Sequence, residues 1–233
     1  MDVAAMTVFV TGGTSGIGLA LSKGFAHVGY QVEAAGLGEL PGDEERLRFH
    51  NLDVTDGNAI GRLVGSFERL DVLINAAGII KRGDELKPDV FASVVDVNLN
   101  GTMRACAATQ HLLAKSNGSI INIASMLSYF GGGLVPGYAA SKGGVSQLTK
   151  SLAIAYARDG IRVNALAPGW IATQMTKGLR EDDVRNKAII DRTALARWGA
   201  PEELVGPALF LASGAASFVT GTILNVDGGY AIM

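Results

Sequence analysis

The chain has 233 residues, of which 48% are hydrophobic and 18% are charged, and its formal net charge is −2 at pH 7. This length suits one α/β domain with a substantial core, and the near-neutral charge gives no general attraction for nucleic acid. No run of about eighteen apolar residues predicts a membrane span.

Strands and helices alternate along the sequence. Short β-branched or aliphatic runs predict strands at 7–11, 31–36, 47–52, 71–75, 118–124, 161–167 and 221–226. Helices are predicted at 19–26, 56–69, 88–115 and 138–159, and a last one begins after Pro201. The link at 37–46 is short and is predicted as a loop with one turn rather than a full crossover helix. The alternation predicts a single α/β domain over 1–233, with a parallel sheet and helices on both faces.

The first strand leads into a glycine-rich loop, Gly12-Gly13-Thr14-Ser15-Gly16-Ile17-Gly18, that opens the first helix. Glycines let the backbone approach a pyrophosphate closely, and the free amides of a helix N-terminus hold its negative charge. The spacing G-x-x-x-G-x-G differs from the common dinucleotide fingerprint, and the loop lacks the Gly-Lys-Ser/Thr of a P-loop. Taken alone, this loop is either a dinucleotide site or a plain tight turn.

Tyr138 and Lys142 lie four residues apart on a predicted helix, so they share one face. A nearby lysine charge favours the phenolate and is expected to lower the tyrosine pKa, which makes the phenol able to exchange a proton with an alcohol or a carbonyl oxygen. By itself the pair also fits two ordinary exposed helix residues.

Ligands of parallel sheets bind beyond the carboxyl ends of the strands. The features that follow those ends are Gly12–Gly18, Asp53, Asn75, Ser125 and Pro168-Gly169.

The single cysteine, Cys106, cannot form an internal disulfide, which suits a reducing cytoplasm. The first strand begins within seven residues of Met1, which leaves no room for a signal peptide, and we expect a cytoplasmic protein. No His/Cys/Asp spacing predicts a metal site.

Together these motifs resemble the short-chain dehydrogenase/reductase family over essentially the whole chain. The resemblance is carried by Thr11-Gly12-x-x-x-Gly16-x-Gly18, Asn75-Ala76-Ala77-Gly78, Asn98, Ser125, Tyr138-x-x-x-Lys142 and Pro168-Gly169. It implies a Rossmann-type doubly wound sheet of seven parallel strands in the order 3-2-1-4-5-6-7, and a homotetramer or a dimer.

The same resemblance implies residue roles. Tyr138 is the acid/base, Ser125 hydrogen-bonds the substrate oxygen, and Lys142 binds the nicotinamide ribose and lowers the tyrosine pKa. Asn98 holds a water in the proton relay. The implied cofactor-binding residues are Gly12, Thr14, Ser15, Gly16, Ile17, Gly18, Leu37, Asp53, Val54, Asn75, Ala76, Ala77, Gly78, Tyr138, Lys142, Pro168, Gly169, Ile171 and Thr173.

The choice between NAD and NADP depends on the end of the second strand. An acid there accepts the 2′-hydroxyl of NAD, whereas an arginine binds the 2′-phosphate of NADP. The matching positions here are Gly36 and Leu37, and Ser15 is uncharged as well. Because an unpaired phosphate is costly to desolvate, we expect NAD, with NADP as the alternative if Arg46 or Arg48 folds back.

Three stretches resemble the dehydrogenases of gluconate-type and 2-keto-3-deoxygluconate-type sugar acids within the family. They are 78–82, 123–128 with Gly131-Gly132, and Asp191-Arg192 with 196–199. Arg82, with Arg192 as the second candidate, is expected to pair with a substrate carboxylate. The alternative is that these arginines are solvated or tie subunits together. Met126, Leu127 and Trp170 are further expected substrate contacts.

Residues 170–195 are expected to form a lid over nicotinamide and substrate, with Thr173 at the carboxamide and a solvated helix face at 180–183. A 3-oxoacyl-thioester reductase that uses NADPH is one alternative function, and it would need a basic surface for an acidic carrier. A non-catalytic dinucleotide-binding regulatory protein is the other. Loss of Tyr138 or Lys142 would have signalled such a protein, and both residues are present.

Overall fold

A computed structural model describes residues 5–233. Its core is one sheet of seven parallel strands in the order β3-β2-β1-β4-β5-β6-β7, which confirms the predicted order. In chain order the strands are β1 (Thr7–Thr11), β2 (Gln31–Gly36), β3 (Leu47–Asn51), β4 (Val72–Asn75), β5 (Ser119–Ile123), β6 (Arg162–Pro168) and β7 (Ile223–Val226).

The helices lie on both faces of the sheet. They are α1 (Gly16–His27), α2 (Gly57–Val64), α3 (Pro88–Val95), α4 (Gly101–Ser116), α5 (Pro136–Tyr156), α6 (Lys177–Arg180), α7 (Asp183–Arg192) and α8 (Val205–Ala212). Successive side chains of a strand point to opposite faces. Val8 and Val10 of β1 therefore pack with α1 and α8, whereas Phe9 packs on the face covered by α2, α4 and α5. Strands buried on both faces explain the nearly continuous apolar runs of the sequence.

The link between β2 and β3 contains no helix, as predicted. It covers the outer edge of β3 instead, where the Asp43 carboxylate accepts a hydrogen bond of 2.8 Å from the backbone amide of Phe49. Arg46 donates to the carbonyl of Gly29, before β2 begins. Arg46 and Arg48 thus lie at the start of β3, at the opposite end of the strand from Gly36 and Asn51.

Helix α2 is shorter than predicted. Asp56 caps its start, accepting hydrogen bonds of 2.9 Å from the amides of Asn58 and Ala59. The helix ends at Val64 rather than at residue 69. The chain turns there because Gly65 follows, and because Phe67 packs edge-on against Phe9, with ring centroids 5.4 Å apart.

The long helix predicted at 88–115 is continuous but not uniform. A π-helical turn at Asp96–Asn100 separates α3 from α4. Such turns insert one extra residue into a helix and are frequent at functional sites. Within the described residues, no helix is long and apolar enough to cross a membrane.

Candidate active site

Two neighbouring cavities lie at the carboxyl ends of the strands, and Tyr138 and Met175 line both of them. The first has a volume of about 180 Å³ and follows the glycine-rich loop. Its other walls come from the end of β4, from helix α5, which carries Tyr138 and Lys142, and from the segment after β6. Its lining residues include Gly12, Ser15, Gly16, Ile17, Gly18, Ala76, Gly78, Lys142 and Thr173.

The glycine-rich loop fits a dinucleotide. A Cβ on Gly18 would lie 2.0 Å from the carbonyl oxygen of Gly12, so this tight turn admits no side chain at that position. Gly12 itself has a φ of +67°, a conformation that favours glycine. Ser15 precedes α1 without capping it by a side-chain hydrogen bond, which leaves amides of the first turn available to a pyrophosphate.

Several of the predicted cofactor residues lie outside this cavity. Asn75 is buried in the sheet, where its side-chain amide donates to Asn122 Oδ1 at 2.9 Å and to Cys106 Sγ at 3.3 Å. The Asp53 carboxylate accepts from the amide and hydroxyl of Thr55. The remaining ones are Thr14, Leu37, Val54, Ala77 and Ile171, while Pro168 and Gly169 line the second cavity.

Helix α5 carries the tyrosine and the lysine on one face, as the spacing predicts. The Lys142 side chain is buried, and its Nζ donates to the carbonyl of Ile123 at 2.6 Å. The same Nζ lies 5.6 Å from the centre of the Tyr138 ring. Ser125 follows β5 and lines the second cavity together with Tyr138.

The ionisation of this pair differs from the expectation. Burial lowers the pKa of Lys142 to about 8. Burial also raises the pKa of Tyr138, the neighbouring Ser125 hydroxyl acts in the opposite direction, and the Glu85 carboxylate raises it further. Desolvation of the phenolate is thus the largest effect on this pKa, and the net shift is upward.

Asn98 lies in the π-helical turn and is buried. Its side-chain oxygen accepts from the amide of Ile79 at 2.8 Å, and its side-chain nitrogen donates to the Ile79 carbonyl and to the Ser141 hydroxyl. A Cβ on Gly78 would lie 3.5 Å from Asn98 Oδ1 and 3.8 Å from Lys142 Nζ. Asn98 therefore fixes the segment after β4 beside the lysine.

The second cavity has a volume of about 140 Å³, and all four predicted substrate residues line it: Arg82, Met126, Leu127 and Trp170. Arg192 lines it too, with its guanidinium 4.8 Å from the Phe130 ring and 4.3 Å from the Tyr230 ring. Within residues 5–233, Arg82 has no acidic partner at ion-pair distance. Partial burial, together with Arg185, lowers the pKa of Arg82.

The sequence analysis did not name Phe130, Met175 and Tyr230 as substrate contacts, although Met175 lies in the predicted lid. The segment 170–195 reaches both cavities through Trp170, Thr173 and Met175. Its charged stretch at 180–183 does not form one helix face. It spans the break between α6 and α7, where the Asp182 carboxylate caps α7 by accepting from the amide of Arg185.

A family model described as Enoyl-(Acyl carrier protein) reductase matches residues 12–231. The chain is 41% identical over 238 residues to the 2-dehydro-3-deoxy-D-gluconate 5-dehydrogenase of Bacillus subtilis, covering 96% of this chain and 94% of that protein. The chain belongs to the short-chain dehydrogenase/reductase family. It is accordingly an NAD(P)-dependent oxidoreductase, and the nicotinamide ring supplies or accepts the hydride in this family.

Solved structures of the family superpose on nearly the whole chain. One is described as an NAD(P) dependent gluconate 5-dehydrogenase from Beutenbergia cavernae with bound NADP, with a TM-score of 0.91 and 38% identity, covering 100% of this chain and 99% of that chain. Another is a gluconate 5-dehydrogenase from Burkholderia cenocepacia in complex with NADP and tartrate, with a TM-score of 0.91 and 32% identity, covering 100% and 98% of the two chains.

Proposed function

We propose that this protein interconverts a secondary hydroxyl group and a ketone on a sugar acid. The observation that carries the proposal is Arg82, a guanidinium without an acidic partner in the described chain, on the wall of the cavity that also holds Ser125 and Tyr138. A guanidinium binds a carboxylate through two parallel hydrogen bonds. The relatives named for gluconate and 2-dehydro-3-deoxy-D-gluconate support the same class of substrate.

In the proposed reaction Tyr138 exchanges the proton with the substrate oxygen. Ser125 donates a hydrogen bond to the same oxygen, where negative charge is greatest in the transition state. Lys142 would hold the ribose of the cofactor through its ammonium group, and its positive charge stabilises the negative charge of the Tyr138 phenolate. Asn98 keeps the segment after β4 in place beside Lys142 and orders water for the proton relay.

The adenosine end supports NAD as the preferred cofactor. Gly36 has no room for a side chain, because a Cβ there would lie 2.2 Å from the Thr14 hydroxyl oxygen. Leu37 is 63% exposed and apolar, and Arg46 and Arg48 lie at the other end of β3. The related structures hold NADP, which makes it the alternative cofactor. A higher specificity constant with NADP(H) than with NAD(H) would contradict the preference for NAD.

We further propose that the protein is a cytoplasmic homotetramer or dimer and that residues 170–195 act as the substrate lid. Large apolar side chains at the surface support self-association, among them Ile154, which is 80% exposed, and Phe218, which is fully exposed. Light scattering after size-exclusion chromatography measures the assembly directly, and a monomer at micromolar concentration would contradict it.

The test of the activity follows the absorbance of reduced nicotinamide with NAD or NADP and a panel of substrates. The panel contains sugar acids, neutral polyols, simple secondary alcohols and a 3-oxoacyl thioester, and Tyr138→Phe is the blank. We expect the wild-type protein to turn over a gluconate-like acid and the Tyr138→Phe variant to show no turnover. Turnover of the thioester alone would favour the acyl reductase instead.

A further inference from the structure

Glu85 is a buried carboxylate outside the motifs of the family. Only 1% of its surface is exposed, and within residues 5–233 no lysine, arginine or histidine lies at ion-pair distance from it. Both of its oxygens accept from backbone amides instead. Oε1 accepts from the amide of Lys81 and Oε2 from the amide of Tyr138, each at 2.7 Å. A buried charge is tolerated only where such partners satisfy it, so each of these bonds is costly to lose.

The helix that carries Tyr138 depends on this carboxylate. Val135 precedes α5 without a side-chain cap, and Pro136 at the first position has no amide. Tyr138 is the third residue of the helix, and its amide is one of those that a helix cannot satisfy internally. Gly137 gives the carboxylate access, because a Cβ there would lie 3.3 Å from Glu85 Oε2. Glu85 thus caps α5 from a distant part of the chain, and its negative charge suits a helix N-terminus.

The same carboxylate holds the loop that carries Arg82. Its other oxygen binds the amide of Lys81, the residue before Arg82. The loop is fixed on either side as well, by Asn98 on the Ile79 backbone and by the amide of Gly83 on the Leu134 carbonyl at 2.8 Å. One side chain therefore connects the two segments that bring Arg82 and Tyr138 to the substrate cavity.

We propose that Glu85 is a positioning residue that fixes the distance between the Arg82 loop and the Tyr138 phenol. The part played by Arg82 in this inference rests on the proposed function. A substrate held by its carboxylate at Arg82 reacts at Tyr138, so a shift of about 1 Å between these two side chains can cost on the order of a hundredfold in rate.

Glu85 also acts on the ionisation of Tyr138. The charged groups around Tyr138 are Lys142 on its own helix and Glu85 at its backbone amide, together with Arg82 and Arg192, which line the same cavity. Among these four, only Glu85 is negative. Removing its charge lowers the pKa of Tyr138, so the pH dependence of the reaction moves to lower pH.

The test compares Glu85→Gln with Asp71→Asn. Asp71 is the control, because it is also buried and accepts from a backbone amide, that of Thr7 at 2.9 Å, at the amino ends of the strands, far from the cavities. Unlike Glu85 it also pairs with an arginine, Arg69 at 2.7 Å. In Glu85→Gln one of the two amides faces an NH₂ group and loses its acceptor. We expect the first turn of α5 and the loop at 78–83 to exchange amide hydrogens about tenfold faster or more, and together. In Asp71→Asn both segments keep wild-type exchange.

Kinetics supply the second readout. For Glu85→Gln we expect kcat to fall about tenfold to a hundredfold, KM for the sugar acid to rise, and the pH profile to move to lower pH. If this variant does not fold, Glu85→Asp serves: it keeps the charge but is too short to reach both amides. We then expect a lower kcat with an unchanged pH profile.

The outcomes separate the two proposals. A Glu85→Gln protein that loses only thermal stability, as Asp71→Asn does, or a Glu85→Asp protein with wild-type kinetics, would overturn the positioning role. Amide exchange needs no substrate. A wild-type enzyme inactive on every sugar acid therefore contradicts the proposed function, while the exchange of the two segments still decides the role of Glu85.

Discussion

Replacing Arg82 by alanine tests whether the second cavity recognises a carboxylate. Arg82 lines that cavity, and within the described chain no acidic side chain pairs with it. A hydrogen bond to a charged group contributes about 1.5–3 kcal/mol, so loss of this contact should lower kcat/KM for a sugar acid about tenfold to a hundredfold. Because Arg82 has no ion pair to lose, the free energy of unfolding should change by less than about 0.5 kcal/mol.

The assay compares a sugar acid with its uncharged amide. Wild type should prefer the acid, and Arg82→Ala should lose that preference while its activity on the amide stays nearly unchanged. Arg185→Ala is the control, since Arg185 is close enough to act on the charge of Arg82 but does not line the cavity and pairs with Asp182 at 3.4 Å. Equal losses on acid and amide, or an unchanged kcat/KM on the acid, would refute the carboxylate contact.

Three other predictions concern the buried charge, the phenol and the glycine loop. The pKa of Lys142 is about 8 in the folded protein against 10.5 as its ordinary value, so the folded state binds fewer protons between these values and stability rises with pH there, by on the order of 3 kcal/mol. Lys142→Met should lose that rise in denaturant titrations at several pH values, whereas Lys150→Met, at an exposed position, should keep it. Because the pKa of Tyr138 is raised, alcohol oxidation should increase with pH further into the alkaline range than ketone reduction does, and coincident profiles in the two directions would contradict this. Gly18→Ala should abolish dinucleotide binding, measured by nicotinamide fluorescence, because its Cβ would overlap a backbone oxygen of the loop; Gly61→Ala, with open space around it, should bind normally.

The sequence was sufficient for the sheet. Each buried parallel strand is a short apolar run between turn residues, so its position can be predicted within two residues, and the family resemblance supplies the strand order. Helix ends were harder, as α2 shows. The packing of Phe67 on Phe9, which brings the chain back to the sheet after Val64, is a tertiary contact that no local pattern contains.

The site divides in the same way. The positions of Ser125, Tyr138, Lys142 and Arg82 followed from motifs, and the structure brings them together. Glu85 had no such signal, because an acidic residue in a polar loop is ordinary until its burial is known. The effect of burial on the Tyr138 pKa has no local signal for a related reason. The sequence shows that a lysine is near, but it does not show how completely the phenol is withdrawn from water.

Burial changes both members of the Tyr138–Lys142 pair toward their neutral forms. The pKa of Lys142 nevertheless remains at about 8, so at neutral pH most of the lysine is charged while the phenol keeps its proton. The Lys142 ammonium donates one hydrogen bond to the Ile123 carbonyl at 2.6 Å, and its other two N–H groups can donate to ribose hydroxyls. A buried lysine held by one carbonyl costs stability, and a methionine of similar shape would not carry that cost. Its presence is therefore explained by what it does to a bound ribose and to the phenol beside it, rather than by the stability of the fold.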